Sequence, residues 1–231
     1  PPHLPGWGNP EWPNATLAPY AGAGGPLWWH KWGTTAAEAT QALVDAMAED
    51  ELLRLVQGVG WHINELPRNF YVGSILGVPR LGLPSLHMQD AAQGFRTMAP
   101  QTVGQVTSFP SLLALGATWD ADLAREYGSA LAREFRANGA NVLLGPSVNV
   151  HRVPLGGRNA EYLSGEEPAL GAALARAYVT GVQGEKVVSV VKHFALNNQE
   201  TDRSYTDAHA NERTMFEVYY APFRAAVDAG V

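Results

Sequence analysis

A parallel α/β architecture of the barrel type is predicted by three features of the sequence. Two short runs, Val142 to Leu144 and Val187, Val188, Val190 and Val191, are aliphatic without polar alternation. Strands of that kind are buried on both faces, as in a parallel sheet covered by helices. Each run is followed by a loop crowded with charged groups, and the open carboxyl rim is where such sheets place their chemistry. Between them lie segments with apolar residues at helical spacing, so strand and helix alternate. The 231 residues hold about four strand–helix units without an internal repeat. A closed (β/α)8 barrel needs more chain than that, so the sequence is expected to stop within the fold.

Residues 1–35 hold Trp7, Trp12, Trp28, Trp29 and Trp32 among many Pro and Gly residues and show no period. They read as an irregular leader packed across the domain formed by 36–231, with the tryptophans packing rather than stacking on sugar. A first helix is expected from Glu38 to Val56, with Gly58 after its end. Pro79 and Pro84 limit the next stretch to short extended pieces, with a strand between Leu81 and His87. That strand delivers a turn running from Gln89 through Asp90 to Arg96. Ser108-Phe109-Pro110 reads as a strand end. Thr118 or Asp120 then caps a helix bearing Leu123, Tyr127, Leu131 and Phe135, closed by Asn138-Gly139.

Gly145-Pro146 breaks the first aliphatic strand and opens a long loop. Pro168 suits the first turn of the following helix, which carries Leu170, Leu174, Ala177, Tyr178 and Val182 and ends at Gly184. After the second strand, Asn211 caps a last helix with Met215, Phe216, Tyr219, Phe223 and Val227 on its apolar side. Pro222 should kink it.

A hydrophobic content of 46% and a charged content of 16% are those of an ordinary globular protein. The net charge of -6, with no Lys/Arg run, gives no footprint for nucleic acid. No apolar stretch approaches the roughly 18 residues that a membrane span needs. The absence of cysteine excludes disulfides and thiolate metal sites and leaves the redox compartment open. The chain begins at Pro1, as expected of a processed protein or a piece of a longer one. The sequon Asn14-Ala15-Thr16 is weakly in favour of secretion.

Asp90, Arg158, Lys192 and His193 each follow an apolar segment and lie in a polar loop. Carboxylate, guanidinium, ammonium and imidazole in one pocket would suit a ligand dense in hydroxyls, through charge-assisted hydrogen bonds. Each also has a plain structural reading. Asp90 could cap a turn, Arg158 could pair with Glu161 or Asp202, and His193 could be a satisfied core histidine. Lys192, directly after the valines, must be paired to be tolerated. A metal centre from His87, His151, His193 and His209 with Asp90 lacks any His-x-His or His-Glu-x-x-His spacing, so no metal or cofactor is expected. Lys192 could alternatively serve as a Schiff-base lysine. Gly156-Gly157 lacks the spacing of a phosphate loop, and Glu166, Glu167 and Glu185 read as helix-end charges.

Six ordered blocks resemble the N-terminal barrel domain of glycoside hydrolase family 3, in its β-glucosidase branch. They are PRLGLPSLHMQDAAQGFR, TSFPSLLALGATWD, NVLLGPSVNVHR, GGRNAEYLSGEEP, VVKHFALNNQETDR and NERTMFEVYYAPFRAAVDAGV. The likeness runs from about Ala42 to Val231. It implies a retaining exo-hydrolase removing terminal β-linked glucose from glucosides or oligosaccharides. In that likeness Asp90, Arg158, Lys192 and His193 bind the sugar hydroxyls and Arg96 supports Asp90. Ala91-Ala92 stands where the family usually has Gly-Pro, which would loosen the turn at Asp90. Ala160 stands where an aromatic is common. The family's nucleophilic aspartate, in a Ser-Asp-Trp-like block, and its acid/base glutamate are not in the chain. The 231 residues alone are therefore expected not to hydrolyse glycosides and to need the remainder of the barrel and a following domain as partners. The competing readings are a non-catalytic sugar-binding module and a Schiff-base lyase using Lys192.

Overall fold

The computed structural model describes residues 35–59, 71–91, 93–96 and 103–231; the Trp-rich leader up to residue 34 and the sequon lie outside them. The chain divides into two compact units. One holds the described residues up to Met88 together with Ala137–Ala140, and the other comprises Gln89–Arg136 and Asn141–Val231.

The first unit opens with two helices where one was expected: α1 (Ala36–Ala46) and α2 (Glu49–Gln57). Thr35 and Glu38 form a reciprocal capping box at the start of α1. The break at Met47-Ala48 follows from a second start signal in the same stretch. The Glu51 carboxylate accepts the Ala48 N–H (2.9 Å) and an N–H from Arg80 Nε (2.7 Å), which favours an extended Ala48 over a continuous helix. Gly58 ends α2 with φ +61, in the half of backbone space that glycine enters cheaply. The strand expected between Leu81 and His87 begins only at Leu86 and runs on to Asp90. Strand β1 (Gly73–Ile75) pairs antiparallel with β2 (Leu86–Asp90), in the register Gly73 to Met88. Pro79 and Pro84 confine the intervening residues to a 3-10 turn at Pro79–Leu81 and a bridge between Val78 and Leu83.

The second unit is α/β. Strands β3 (Val142–Leu144) and β4 (Val188–Ser189) are parallel neighbours, joined through α5 (Pro168–Gly184). Helix α5 starts with Pro168 in its first turn and ends at Gly184, as predicted, and buries Leu174, Tyr178 and Val182. Helix α4 (Ala121–Ala137) is capped by Asp120, whose Oδ1 accepts the Leu123 N–H at 3.0 Å. It packs closely on α5. A Cβ on Gly128 would lie 2.5 Å from the Tyr178 carbonyl oxygen, and one on Gly181 would clash with that of Arg125.

Three expectations need correction here. Ser108-Phe109-Pro110 is not a strand; it is a coil tied by Phe109 N–H to Gln93 O (2.8 Å) ahead of the short α3 (Leu112–Gly116). The β4 region alternates after all. Val187 and Ser189 are buried, while Val188 and Val190 are 51% and 41% exposed, because successive side chains point to opposite faces and only one face is covered. The last helix is interrupted rather than kinked. Asn211 caps α6 (Glu212–Thr214), a π turn spans Met215–Tyr219, and α7 (Ala221–Asp228) restarts with Pro222 in its first turn. Phe223, Ala225 and Ala226 form its buried face, whereas Phe216 and Val227 are exposed.

Candidate functional site

The site lies wholly within the second unit and is built by the ends of three strands. Asp90 is the last residue of β2, and the turn after it is closed by Arg96 N–H to Asp90 O at 3.1 Å. Ala91 beneath is fully buried. Lys192 and His193 follow β4 and are joined by a cis peptide bond. Arg158 stands at the start of a 3-10 turn, Asn159–Glu161, in the long loop after β3.

These side chains line one cavity of about 870 Å³, shared with Glu161, Arg203 and the segment around Val103 to Ser108. Lys192 Nζ donates to Asp90 Oδ1 at 2.8 Å, across 102 residues of sequence. Arg96 Nη1 donates to Asp90 Oδ2, also at 2.8 Å. Burial alone would raise the Asp90 pKa, but the hydrogen bonds and charges of Lys192 and Arg96 together outweigh it and hold the carboxyl below its ordinary range. Asp90 is thus an ionised acceptor with both oxygens engaged.

Arg158 does pair with Glu161 (2.6 Å), and its second partner is Glu200 (3.4 Å) rather than Asp202. Its Nη2 also reaches His193 Nε2 at 3.1 Å. A guanidinium can only donate, so Nε2 must accept and the ring proton must sit on Nδ1. That proton points to Tyr162 Oη at 3.3 Å, and the Tyr162 hydroxyl donates onward to Asn197 O at 3.1 Å. The chain is consistent only with a neutral imidazole. Burial, followed by the cations of Arg158 and Lys192, lowers the His193 pKa to about 4. Burial likewise pushes the Tyr162 phenol up to about 12, so it remains a donor.

The four residues singled out from the sequence therefore face one space, with Arg96 behind Asp90. Among the described residues, neither His151 nor His209 lines this cavity. His87 belongs to the first unit, and His209 is exposed and pairs with Asp207 (2.9 Å). Among the described residues no group of three or more His, Asp or Glu side chains is placed to hold a metal ion.

Sequence reasoning missed Glu200, Tyr162 and Asn149. Asn149, buried between Val148 and Val150, accepts the His193 N–H at Oδ1 (2.7 Å) and donates from Nδ2 to His193 O (3.0 Å). A lone amide inside an aliphatic run was the available signal, since a buried amide must find partners.

Comparison with known proteins adds the lineage. Residues 76–231 match the model described as the glycosyl hydrolase family 3 N terminal domain. The β-glucosidase BoGH3A of Bacteroides ovatus is 44% identical over 162 residues, which are 67% of this chain and 22% of that protein. A β-glucosidase of Rhizobium radiobacter is 40% identical over 192 residues, 82% of this chain and 22% of that protein. Among solved structures, DesR, a β-glucosidase from Streptomyces venezuelae in complex with D-glucose, superposes with TM-score 0.73 at 37% identity, covering 85% of this chain and 24% of DesR. β-Glucosidase 3B from Thermotoga neapolitana, in complex with α-D-glucose, gives 0.72 at 35% identity, covering 81% of this chain and 27% of that one. The chain thus spans about a quarter or less of the β-glucosidases named here.

Proposed function

The chain belongs to glycoside hydrolase family 3 through its TIM-barrel-like N-terminal domain, and from that membership we propose that it supplies one wall of the glucose site of a retaining exo-acting β-glucosidase. The observation that carries the proposal is the convergence of Asp90, Arg158, Lys192 and His193 on one cavity. A pyranose presents hydroxyls that both donate and accept. Asp90 accepts only and Lys192 and Arg158 donate only, so hydroxyls find partners of fixed sense, while the neutral His193, its Nε2 taken by Arg158, holds that guanidinium in place. Arg96 keeps Asp90 ionised and oriented.

Asp90 and Glu161, the carboxylates lining the cavity, are tied to cations at 2.8 and 2.6 Å. Those pairings favour a binding role for both over the role of nucleophile or acid/base in a retaining reaction. The same ion pair disfavours a Schiff-base role for Lys192, which needs a free amine.

The test is a glucose titration of the 15N-labelled 231-residue chain. Saturable binding, with a dissociation constant on the order of millimolar, should move the side-chain signals of His193 and Arg158 and vanish in Asp90→Ala. Unmoved signals at saturating glucose in a folded chain would end the proposal.

A further inference from the structure

The main-chain ladder between the two parallel strands does not stop where the strands do. Val188 N–H bonds to Asn141 O (2.9 Å), Val190 N–H to Leu143 O (2.9 Å) and Lys192 N–H to Pro146 O (3.0 Å), and Val148 N–H returns to Lys192 O (2.8 Å). At the next step, the backbone around Asn149 is replaced by its side chain. The amide of Asn149 accepts from His193 N and donates to His193 O, the two bonds that a neighbouring strand would otherwise supply from two of its peptide groups. Its Nδ2 also reaches Asn197 O at 3.5 Å, and Asn197 O is the acceptor of the Tyr162 hydroxyl. One buried amide thus touches both peptide groups of the histidine and the far end of its hydrogen-bonded chain.

We infer that Asn149 is a positioning residue of the sugar site, fixing the main chain of His193 so that its imidazole stands between Arg158 and Tyr162. This rests on the glucose-site reading above and adds to it a residue that contacts no substrate. The geometry requires the amide form. Asn149→Asp keeps the acceptor for His193 N–H but sets a carboxylate oxygen against the carbonyl of His193, which is repulsive and buries a charge. Asn149→Ala removes both bonds.

A matched control lies in the same unit. Asn198 is also buried, and its Nδ2 donates to Val150 O at 2.7 Å without touching His193. Asn198→Ala therefore deletes a buried amide bond that does not reach His193.

The experiment compares the 15N-labelled chain with Asn149→Ala, Asn149→Asp and Asn198→Ala, reading the His193 imidazole signals (identified by their loss in His193→Gln) and the glucose affinity. The expected result is that both Asn149 variants displace or broaden the His193 signals, even without sugar, and weaken glucose about tenfold. Asn198→Ala should leave the signals in place and change affinity less than about twofold, even if its unfolding midpoint drops. Should Asn149→Ala not fold, the Asp variant decides by the same readout. His193 signals unmoved in an Asn149 variant, or moved equally by Asn198→Ala, would overturn the inference. A parent chain that ignores glucose would sink the functional reading, while the sugar-free signals would still decide the role of Asn149.

Discussion

His87 and His193 have the same depressed basicity in two different settings. Each is lowered to about 4, with burial as the leading cause. In the first unit, His87 is stacked on Tyr71 with ring centroids 4.6 Å apart, and its Nδ1 lies 3.3 Å from Ser74 Oγ. It is packing with a polar tip. In the second unit, His193 borders a cavity, with Arg158 and Lys192 adding to its shift. The contrast teaches that a perturbed histidine does not by itself mark a site. What marks one is the company it keeps: fixed charges and open space.

The largest effect that could test this contrast is acid lability, which both histidines share. A base whose folded pKa is depressed binds its proton more readily when unfolded. Its stabilising contribution is therefore complete above about pH 6.5 and is lost as the pH falls towards 4. Each histidine accounts for roughly 3 kcal/mol of that loss at most. Asp90 acts in the same direction, since protonating it removes the acceptor of Lys192 and Arg96. Urea unfolding at pH 7 and pH 4.5 should show a steep loss, reduced in both His87→Phe and His193→Gln. A loss unchanged in His87→Phe would mean that this histidine is not held neutral by burial.

Next in size is Lys192→Met. It removes one of the two cations on Asp90, and glucose affinity should fall about 100-fold, towards the upper end for a charged hydrogen bond. His87→Phe should leave the affinity unchanged. Calorimetric titration of both variants would separate the two histidine regions, and equal losses would erase the distinction.

Gly181→Ala should cost roughly 1–3 kcal/mol of stability by forcing α5 off α4, with sugar affinity kept in the folded fraction. Thermal unfolding read beside affinity would check it. The smallest effect is expected for Glu200→Gln. Glu200 is half exposed and stands 3.4 and 3.5 Å from Arg158 and Arg203, so the loss should be below about 1 kcal/mol. A larger loss would show that Arg158 depends on Glu200 rather than on Glu161.

Helix α5 was legible from end to end, because Pro168, the three-four spacing and Gly184 are local signals that no distant contact overrides. The cap at Asp120 was one of the two positions offered by the sequence, with Thr118, for the same reason. The α1–α2 break was not read, although Glu51 accepting the Ala48 N–H is a local start signal; only the further bond of Glu51 to Arg80, 29 residues later, lay beyond local reading. Nor was the exposure of Val188 and Val190, which depends on which faces are covered and not on how apolar they are. At the site, the sequence marked the charged residues at strand ends, and it required that Lys192 be paired. It could not name the partner.

From the sequence alone come the kinds of element, most of their limits, and the residues released at the ends of the strands, because periodicity, caps and prolines act within a few residues. The tertiary structure decided who meets whom: Asp90 with Lys192 across 102 residues, Arg158 with His193 across 35, and Asn149 with the backbone of His193 across 44. Those pairings form when the strand ends are brought side by side, and no local rule operates over such separations.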